Sequence, residues 1–418
     1  MKKIVSLILA AVMVFTMTAC GKGTVPAAEA SPSATVATTK PSEAATPTAK
    51  AAAAEPIIVG SIQDISSTTS VMGLMIAEGI RWQVESINAA GGIDGRKIKL
   101  LEYDSKANVD ESINAYNRLV SEGAVTVIAP HQANIGIALA PIAQEAKVPI
   151  VTMGMDNRVT RQGKDGKGEP WDYMFLAQPS CDLQGAIMAK YAIEELGFKK
   201  FGVLYRSDNS YSYSLYYSFD AYSKANGAEV VAVETFLSSD TDYKTMLSKL
   251  IKEDIDALFC PNYTGELVVI TQQARTLGYD GVMINGLDSA PPFMDLAGAE
   301  ADNVYFISNI ELDDPEVVKV VEAFRKATGN TEPNQLNKFC VGYDMMGMVG
   351  NVLTKVDGDD KEAIRTSLEN FTGYKGLTGT ISIDPKTHQP YGLEMIIHKI
   401  ENGKNVPLVT YTADPVAY

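Results

Sequence analysis

Three histidines, His131, His388 and His398, are the whole supply of imidazole in 418 residues, and none belongs to an HExxH pattern. A His-rich zinc site therefore has little material to draw on. The four cysteines, at 20, 181, 260 and 340, include no CxxC pair. Four thiols in so long a chain do not make a disulfide framework, and whether any two of Cys181, Cys260 and Cys340 pair stays open. No GxxxxGK[ST] loop and no GxSxG elbow occurs. Gly163, Gly166 and Gly168 alternate with charged residues, which describes a solvated turn rather than a phosphate cradle. Asp313-Asp314 and the run from Asp357 to Asp360 read as exposed helix starts, with calcium the alternative. His131 follows an apolar run and is placed to touch a ligand, although a single loop histidine is more often a packing residue. No nucleophile stands beside a base, so recognition without bond-making is the chemistry left, with no cofactor and no metal expected.

Composition narrows the partners. With 51 acidic and 36 basic side chains the net charge is 36 − 51 = −15, the wrong sign for binding nucleic acid. The N-terminus, Met1-Lys2-Lys3 followed by an apolar run and then small residues, has the form of a secretory signal. From Ile4 to Ala19 there are 16 residues, short of the roughly 20 that span a bilayer. Residues 21–55 hold no aromatic side chain and are dominated by Ala, Thr, Pro and Ser, the composition of a disordered tether.

Elements capable of positioning a binding site begin at Pro56. Short apolar, β-branched runs recur at 57–62, 98–103, 125–129, 148–152, 201–205, 230–233, 257–260, 282–284 and 304–307. Between them lie stretches of helical period: Ile76, Ile80, Val84 and Ile87, then Val109, Ile113, Tyr116 and Val120. The alternation predicts an α/β fold with helices on both faces of parallel sheets. The pattern from 57 to 152 repeats from 201 to 284, so two lobes with a cleft between them are expected. Ligands in such sheets bind outside the carboxyl ends of the strands.

The segment Asn88-Ala89-Ala90-Gly91-Gly92-Ile93-Asp94-Gly95-Arg96-Lys97-Ile98 is a helix stop and a turn into a strand. It also resembles the INAxGGIxGxxI signature of type I periplasmic binding proteins, in their branched-chain amino acid and amide branch. The resemblance continues through Asp104, Ala140-Pro141-Ile142-Ala143, Val148-Pro149-Ile150-Val151, Gln184-Gly185, Asp208-Asn209-Ser210-Tyr211 and Ala274-Arg275 to Gly278. Met17-Thr18-Ala19-Cys20-Gly21 is similar to a bacterial lipobox, with Met17 where Leu is usual. The resemblance implies Rossmann-like lobes joined by a three-crossover hinge, residues 56–176 plus 308–378 and 177–307 plus 379–418, behind a signal peptide at 1–20. It implies a monomeric receptor, held at the outer face of the cell membrane only by lipid on Cys20. Such a receptor passes a small solute to an ABC permease and its ATPase. The solute expected is an amino acid or similar small polar metabolite; a sensor on the same fold, or a receptor for a non-amino-acid ligand such as an amide, aromatic acid or nucleoside, stays open as an alternative.

Carried over by that resemblance, the ligand-binding positions are Met72, Gln132, Ala133, Asn134, Gly154, Met155, Asp156, Tyr211, Tyr263 and Asp288. The family's carboxylate-binding Ser and Thr align with Ala133 and Asp156, so Gln132 or Asn134 would have to supply donors. A carboxylate at 156 would repel a bound carboxylate unless a cation intervenes. Asp288 aligns with the acid that receives a ligand ammonium, while Tyr211 and Tyr263 line the second lobe. Trp171 lies in an extended loop and is expected to pack on the surface.

Overall fold

The computed structural model describes residues 55–67, 70–330 and 335–414. The expected signal segment, Cys20 and the tether up to residue 54 lie outside those residues. Every apolar run singled out above contains or overlaps a strand, with 125–129, 148–152 and 257–260 reaching past the strand ends. The first series is β1 (Ile57–Gln63), α1 (Ser70–Ala89), β2 (Ile98–Asp104), α2 (Val109–Ser121), β3 (Thr126–Ile128), α3 (Ala133–Ala146), β4 (Ile150–Thr152), α4 (Asn157–Thr160) and β5 (Met174–Leu176). Its strands form a five-stranded sheet in the order β2-β1-β3-β4-β5, parallel throughout.

The second series is α5 (Cys181–Glu194), β6 (Lys200–Arg206), α6 (Ser210–Ala225), β7 (Glu229–Phe236), α7 (Lys244–Leu250), β8 (Ala257–Phe259), α8 (Thr264–Thr276), β9 (Val282–Ile284), α9 (Phe293–Ala297) and β10 (Val304–Ser308). It repeats the topology of the first, β7-β6-β8-β9-β10. The chain then runs through α10 (Pro315–Thr328), α11 (Leu336–Leu353), α12 (Lys361–Glu369), β11 (Tyr374–Gly376), β12 (Gly379–Asp384), β13 (Gln389–Tyr391), β14 (Glu394–Glu401) and β15 (Lys404–Thr412).

Strands β14 and β15 extend the second sheet to seven, and they are antiparallel, an addition to the parallel sheets expected. The reason is local. Asn402 and Gly403, at φ 55 and 69, form a two-residue hairpin turn, and such a turn joins only antiparallel neighbours. Strands β11, β12 and β13 form a small third sheet. It sits against the first: Leu176 N donates to His388 O at 3.0 Å, and the His388 ring stacks on Phe175 with centroids 4.6 Å apart.

The Asn88 signature has a physical cause. Asn88 Nδ2 donates to Ile98 O at 2.9 Å and its Oδ1 accepts from Ile98 N at 2.8 Å. One side chain thus ties the end of α1 to the start of β2 across the glycine turn. Arg275 is a second such tie, with Nη1 donating to Tyr279 O and Gly281 O and Nη2 to Asp302 O. Asp314 and Asp360 cap α10 and α12, as helix starts should.

The crossing of α1 and α11 sets where α11 begins. A Cβ on Gly79 would lie 2.1 Å from Phe339 O, and one on Gly342 would lie 2.1 Å from Ile76 O. Only glycine permits that approach. Two residues beyond Gly342 in α11, Asp344 accepts from Leu377 N and Thr378 N at 2.8 and 2.7 Å. Gln178, just after β5, donates to Thr378 Oγ1, and Asn309, just after β10, donates to Thr378 O. Two segments that pass between the sheets are therefore fastened to one residue.

Burial pushes the Asp344 carboxyl up to about 6 from 3.8. Its proton is held more tightly folded than unfolded. The stabilisation that follows is full below pH 3.8 and lost as pH rises through 6, about 3 kcal/mol in all. Wild type should thus lose stability relative to Asp344→Asn between pH 4 and pH 7, read from denaturant melts at each pH. A gap that stays constant over that range would show that this carboxyl does not titrate there.

Candidate functional site

In each sheet the strand order reverses at one point, between β1 and β3 in the first and between β6 and β8 in the second. Loops at such a point splay apart and leave a crevice. The residues just beyond those four strands are Asp64, His131 and Gln132 from the first sheet, and Asn209, Tyr211 and Tyr263 from the second. They meet. The His131 and Tyr263 rings touch edge to face with centroids 6.1 Å apart, and Tyr211 stacks on Tyr263 at 5.2 Å.

Local sequence places each of these side chains. Asn209 caps α6, accepting from Tyr211 N at 2.9 Å, which turns the Tyr211 ring inward. Tyr263 caps α8, and Glu266 accepts from its backbone N–H at 3.1 Å. Arg206, paired with Glu266 at 2.6 Å and with Asp208 at 3.0 Å, carries its guanidinium over the Tyr263 ring at 5.5 Å. Burial raises the Glu266 carboxyl even so, with Arg206 opposing. Asp64 accepts from Ser67 N at 3.0 Å and from Gln132 Nε2 at 3.1 Å.

Asp288 lies in a short 3-10 turn at Leu287–Ser289, after β9. Thr264 Oγ1 donates to its carbonyl at 2.7 Å and holds that turn against α8. The Asp288 carboxylate faces Lys338, whose Nζ is 3.1 Å from Oδ1, and the two side chains are 1% and 3% exposed. Lys338 stands in the first turn of α11, on the far side of the cleft. A buried ion pair thus joins the two halves where the strand ends converge.

His131 is 6% exposed, and neither ring nitrogen has a hydrogen-bond partner among the described residues. Burial lowers its pKa to about 4, with Lys338 adding to the shift and Asp64 and Asp288 opposing it. The imidazole is neutral at pH 7, offering one donor and one acceptor. Burial also raises the Tyr211 and Tyr263 hydroxyls, with Asp288 adding to both shifts. The buried Tyr211 hydroxyl faces the Asp288 carboxylate.

Among the sequence-derived positions, the structure brings Tyr211, Tyr263 and Asp288 together, while Gln132 is bonded to Asp64 in the loops of the first sheet. Met72 is buried in the first turn of α1, Ala133 opens α3, and Asn134 is exposed on that helix. Gly154 N donates to Thr152 Oγ1 at 3.0 Å, and Met155 Sδ accepts from Gln184 Nε2 at 3.2 Å. Asp156 caps α4, where Arg158 Nε donates to Oδ1 at 2.9 Å and Ser214 of α6 donates to Oδ2 at 2.7 Å. The cation beside Asp156 is the chain's own arginine. Trp171 is half-buried, and its carbonyl meets His388 Nδ1 at 3.0 Å.

Lys338 and Asp64 escaped the sequence reading, and His131 was weighted toward packing. The signal for Lys338 was its company: a single lysine in Leu336-Asn337-Lys338-Phe339-Cys340-Val341, otherwise without charge. Cys181, Cys260 and Cys340 are free and buried. Among the described residues no group of three His, Cys, Asp or Glu could hold a metal. A cavity of about 440 Å³ opens elsewhere, lined by Arg161, Asp182, Tyr217 and Gln389 among others. It includes none of the residues at the strand ends, so we place the site at the ion pair.

A twofold-repeated α/β body with a polar cluster at both switch points is the build of a solute receptor. The periplasmic binding protein family matches residues 56–404, and the chain belongs to it. Leu/Ile/Val-binding protein homolog 7 of Brucella abortus (strain 2308) is 26% identical over 337 residues, 76% of this chain and 82% of that one. Among solved structures, the branched-chain amino acid transporter substrate-binding protein LivJ of Streptococcus pneumoniae, in complex with isoleucine, is 27% identical with a TM-score of 0.73. That match covers 86% of this chain and all of LivJ. The leucine-binding protein LivK of Thermotoga maritima is 25% identical with a TM-score of 0.74, over 86% and 99% of the two chains. The protein is thus a solute-binding protein of the periplasmic binding protein family, similar to Leu/Ile/Val-binding proteins, extracytoplasmic by family and not an enzyme. No helix among the described residues is long and apolar enough to cross a membrane.

Removing one partner of a buried pair strands the other, at a cost of about 3 to 5 kcal/mol. Lys338→Met alone and Asp288→Leu alone should each lower stability substantially, and the double variant should recover most of the loss in urea melts. Losses that add to within about 0.5 kcal/mol would mean that the two charges are not coupled.

Proposed function

We propose that this chain is a lipid-anchored receptor of an ABC importer. It captures an amino acid or similar small polar metabolite between two lobes and presents the closed form to the permease and ATPase. The observation that carries the reading is the buried set that meets beyond both switch points, His131 against Tyr263 and Tyr211. Beside it Asp288, from the turn after β9, is paired with Lys338. Lobe I takes 56–176 and resumes after residue 308, and lobe II takes 177–307 and the C-terminal strands. We draw the last crossing at 392–393, after the three-stranded sheet, because β13 packs beside β5. Tyr211, Tyr263 and Asp288 form the second lobe's wall, with Met72, Gln132, Ala133, Gly154 and Met155 on the first lobe's side. The receptor works as a monomer, and closure is a hinge motion that completes the site.

The direct test is a thermal-shift screen of the full chain, after unfolding and refolding to strip carried-over solute. The panel holds amino acids, amides, polyamines, organic acids and nucleosides. A ligand at about a thousand times its dissociation constant adds about 4 kcal/mol, which for a body of this size is a shift of about 5 °C. A flat response across the panel would overturn the receptor reading.

The anchor is tested separately. Cys20→Ser should release the protein from the membrane fraction into the soluble extracytoplasmic fraction and abolish labelling by a fatty-acid probe. Membrane retention with unchanged labelling in that variant would remove the lipid from the proposal.

A further inference from the structure

The group that faces Asp288 is an ammonium of the chain's own. Lys338 Nζ lies 3.1 Å from Asp288 Oδ1, and both side chains are almost wholly out of water. An α-amino acid held through its ammonium at Asp288 would have to displace Lys338. The displaced cation would then be buried without a counter-charge or drawn out of the cleft, and either is costly. The ion pair therefore disfavours the ammonium ligand that Asp288 would otherwise attract.

The buried atoms without a hydrogen bond among the described residues are of both kinds: the two Asp288 oxygens and one His131 nitrogen accept, while Asn209 Nδ2 and the other His131 nitrogen donate, and Lys338 adds an ammonium. An ammonium carries three N–H groups, and the contact with Asp288 engages one of them. His131 has two buried ring nitrogens without a hydrogen bond among the described residues, one a donor and one an acceptor when neutral, and the buried Tyr211 hydroxyl faces Asp288. The other carboxylate nearby, Asp64, is already engaged by Ser67 and Gln132. A ligand that leaves the ion pair in place brings an acceptor oxygen to Lys338 and to the His131 N–H and lays its body along the stacked Tyr211 and Tyr263 rings.

We infer that the cleft takes a small ligand whose head is an oxygen acceptor, a carboxylate or an amide carbonyl, with no adjacent ammonium, and that Lys338 is the residue setting this preference. The inference rests on the receptor function proposed above and names its ligand class. Asp288 then acts as the positioning partner of Lys338 rather than as a ligand contact.

The test uses matched sets that differ only at the head group, titrated calorimetrically into the refolded full chain. The sets are leucine against isocaproate and isocaproamide, phenylalanine against hydrocinnamate and hydrocinnamamide, and alanine against propionate and propionamide. In at least one set the acid or the amide should bind about tenfold or more tightly than the amino acid. The acid and amide arms tell a charged head from a neutral one. Lys338→Met should weaken that ligand by about 10- to 100-fold, while Lys338→Arg retains most of its affinity, with circular dichroism confirming that both variants fold. Preference for the amino acid in every set overturns the inference, as does wild-type affinity in folded Lys338→Met. Silence from all three sets overturns it too. In that case the receptor function falls only if the broader thermal-shift panel is also silent.

Discussion

The structure turns on one constraint: two opposite charges, one from each half, are buried against each other where the carboxyl ends of both sheets converge. The Lys338 and Asp288 side chains are 3% and 1% exposed, and Asp288 has the neutral Tyr211 hydroxyl as a further neighbour. Either one alone in that place would cost several kcal/mol. The pair is therefore stable only when α11 and the turn after β9 are held in register, although they belong to opposite walls of the cleft. Features remote from the cleft serve that register. The Gly79–Gly342 crossing lets α11 lie directly on α1 and aims its first turn at the cleft. At the other wall, Thr264 holds the Asp288 turn to α8 through its carbonyl, leaving the carboxylate for the pair.

That geometry separates recognition from catalysis. The imidazole of His131 is kept neutral by burial, with Lys338 adding to the shift, and no nucleophile stands within its hydrogen bonds. Cys181, at the start of α5, is buried, with its thiol raised well above the ordinary range by burial and by Asp156. It stays protonated and inert at neutral pH. Asp156 is consumed by Arg158 and Ser214, which turns a carboxylate that looked hazardous to an anionic ligand into a link between α4 and α6. Lys338 and Asp288 face each other as an ion pair, and the buried atoms without a hydrogen bond among the described residues include the Asp288 oxygens, Asn209 Nδ2 and the His131 nitrogens. Such a lining grips by hydrogen bonds and ring faces and activates nothing.

Much of the fold was legible in the sequence because its strands are apolar on both faces and short, so each reads as a run. β5 escaped because three residues, Met174 to Leu176, follow a long polar loop. β14 and β15 escaped because their charges, Lys399 and Glu401 among them, break the apolar pattern at the sheet edge. The Asn402-Gly403 turn was the available signal there. In the site, the aromatic and acidic positions were reached through motifs that also have structural work to do, such as the cap at Asn209. Lys338 was not reachable that way. A lysine in the first turn of a helix reads as surface charge, and its burial depends on a partner 50 residues earlier in the chain, which no local pattern reports.

A closed cleft that neutralises its own charges changes what a ligand must contribute. If Lys338 and Asp288 were each exposed in an open form, closing would desolvate both, and their mutual attraction would offset that cost only in part. The remainder has to come from whatever enters, because a ligand shifts a conformational equilibrium only by its differential affinity for the two states. An oxygen acceptor at Lys338 supplies it where it is needed, by hydrogen-bonding N–H groups that Asp288 cannot reach. An ammonium in the same place would subtract from it by competing for Asp288. Selectivity would then follow from the energetics of closure and not from the shape of the pocket alone, with Lys338 reading the head group and the Tyr211–Tyr263 stack reading the body.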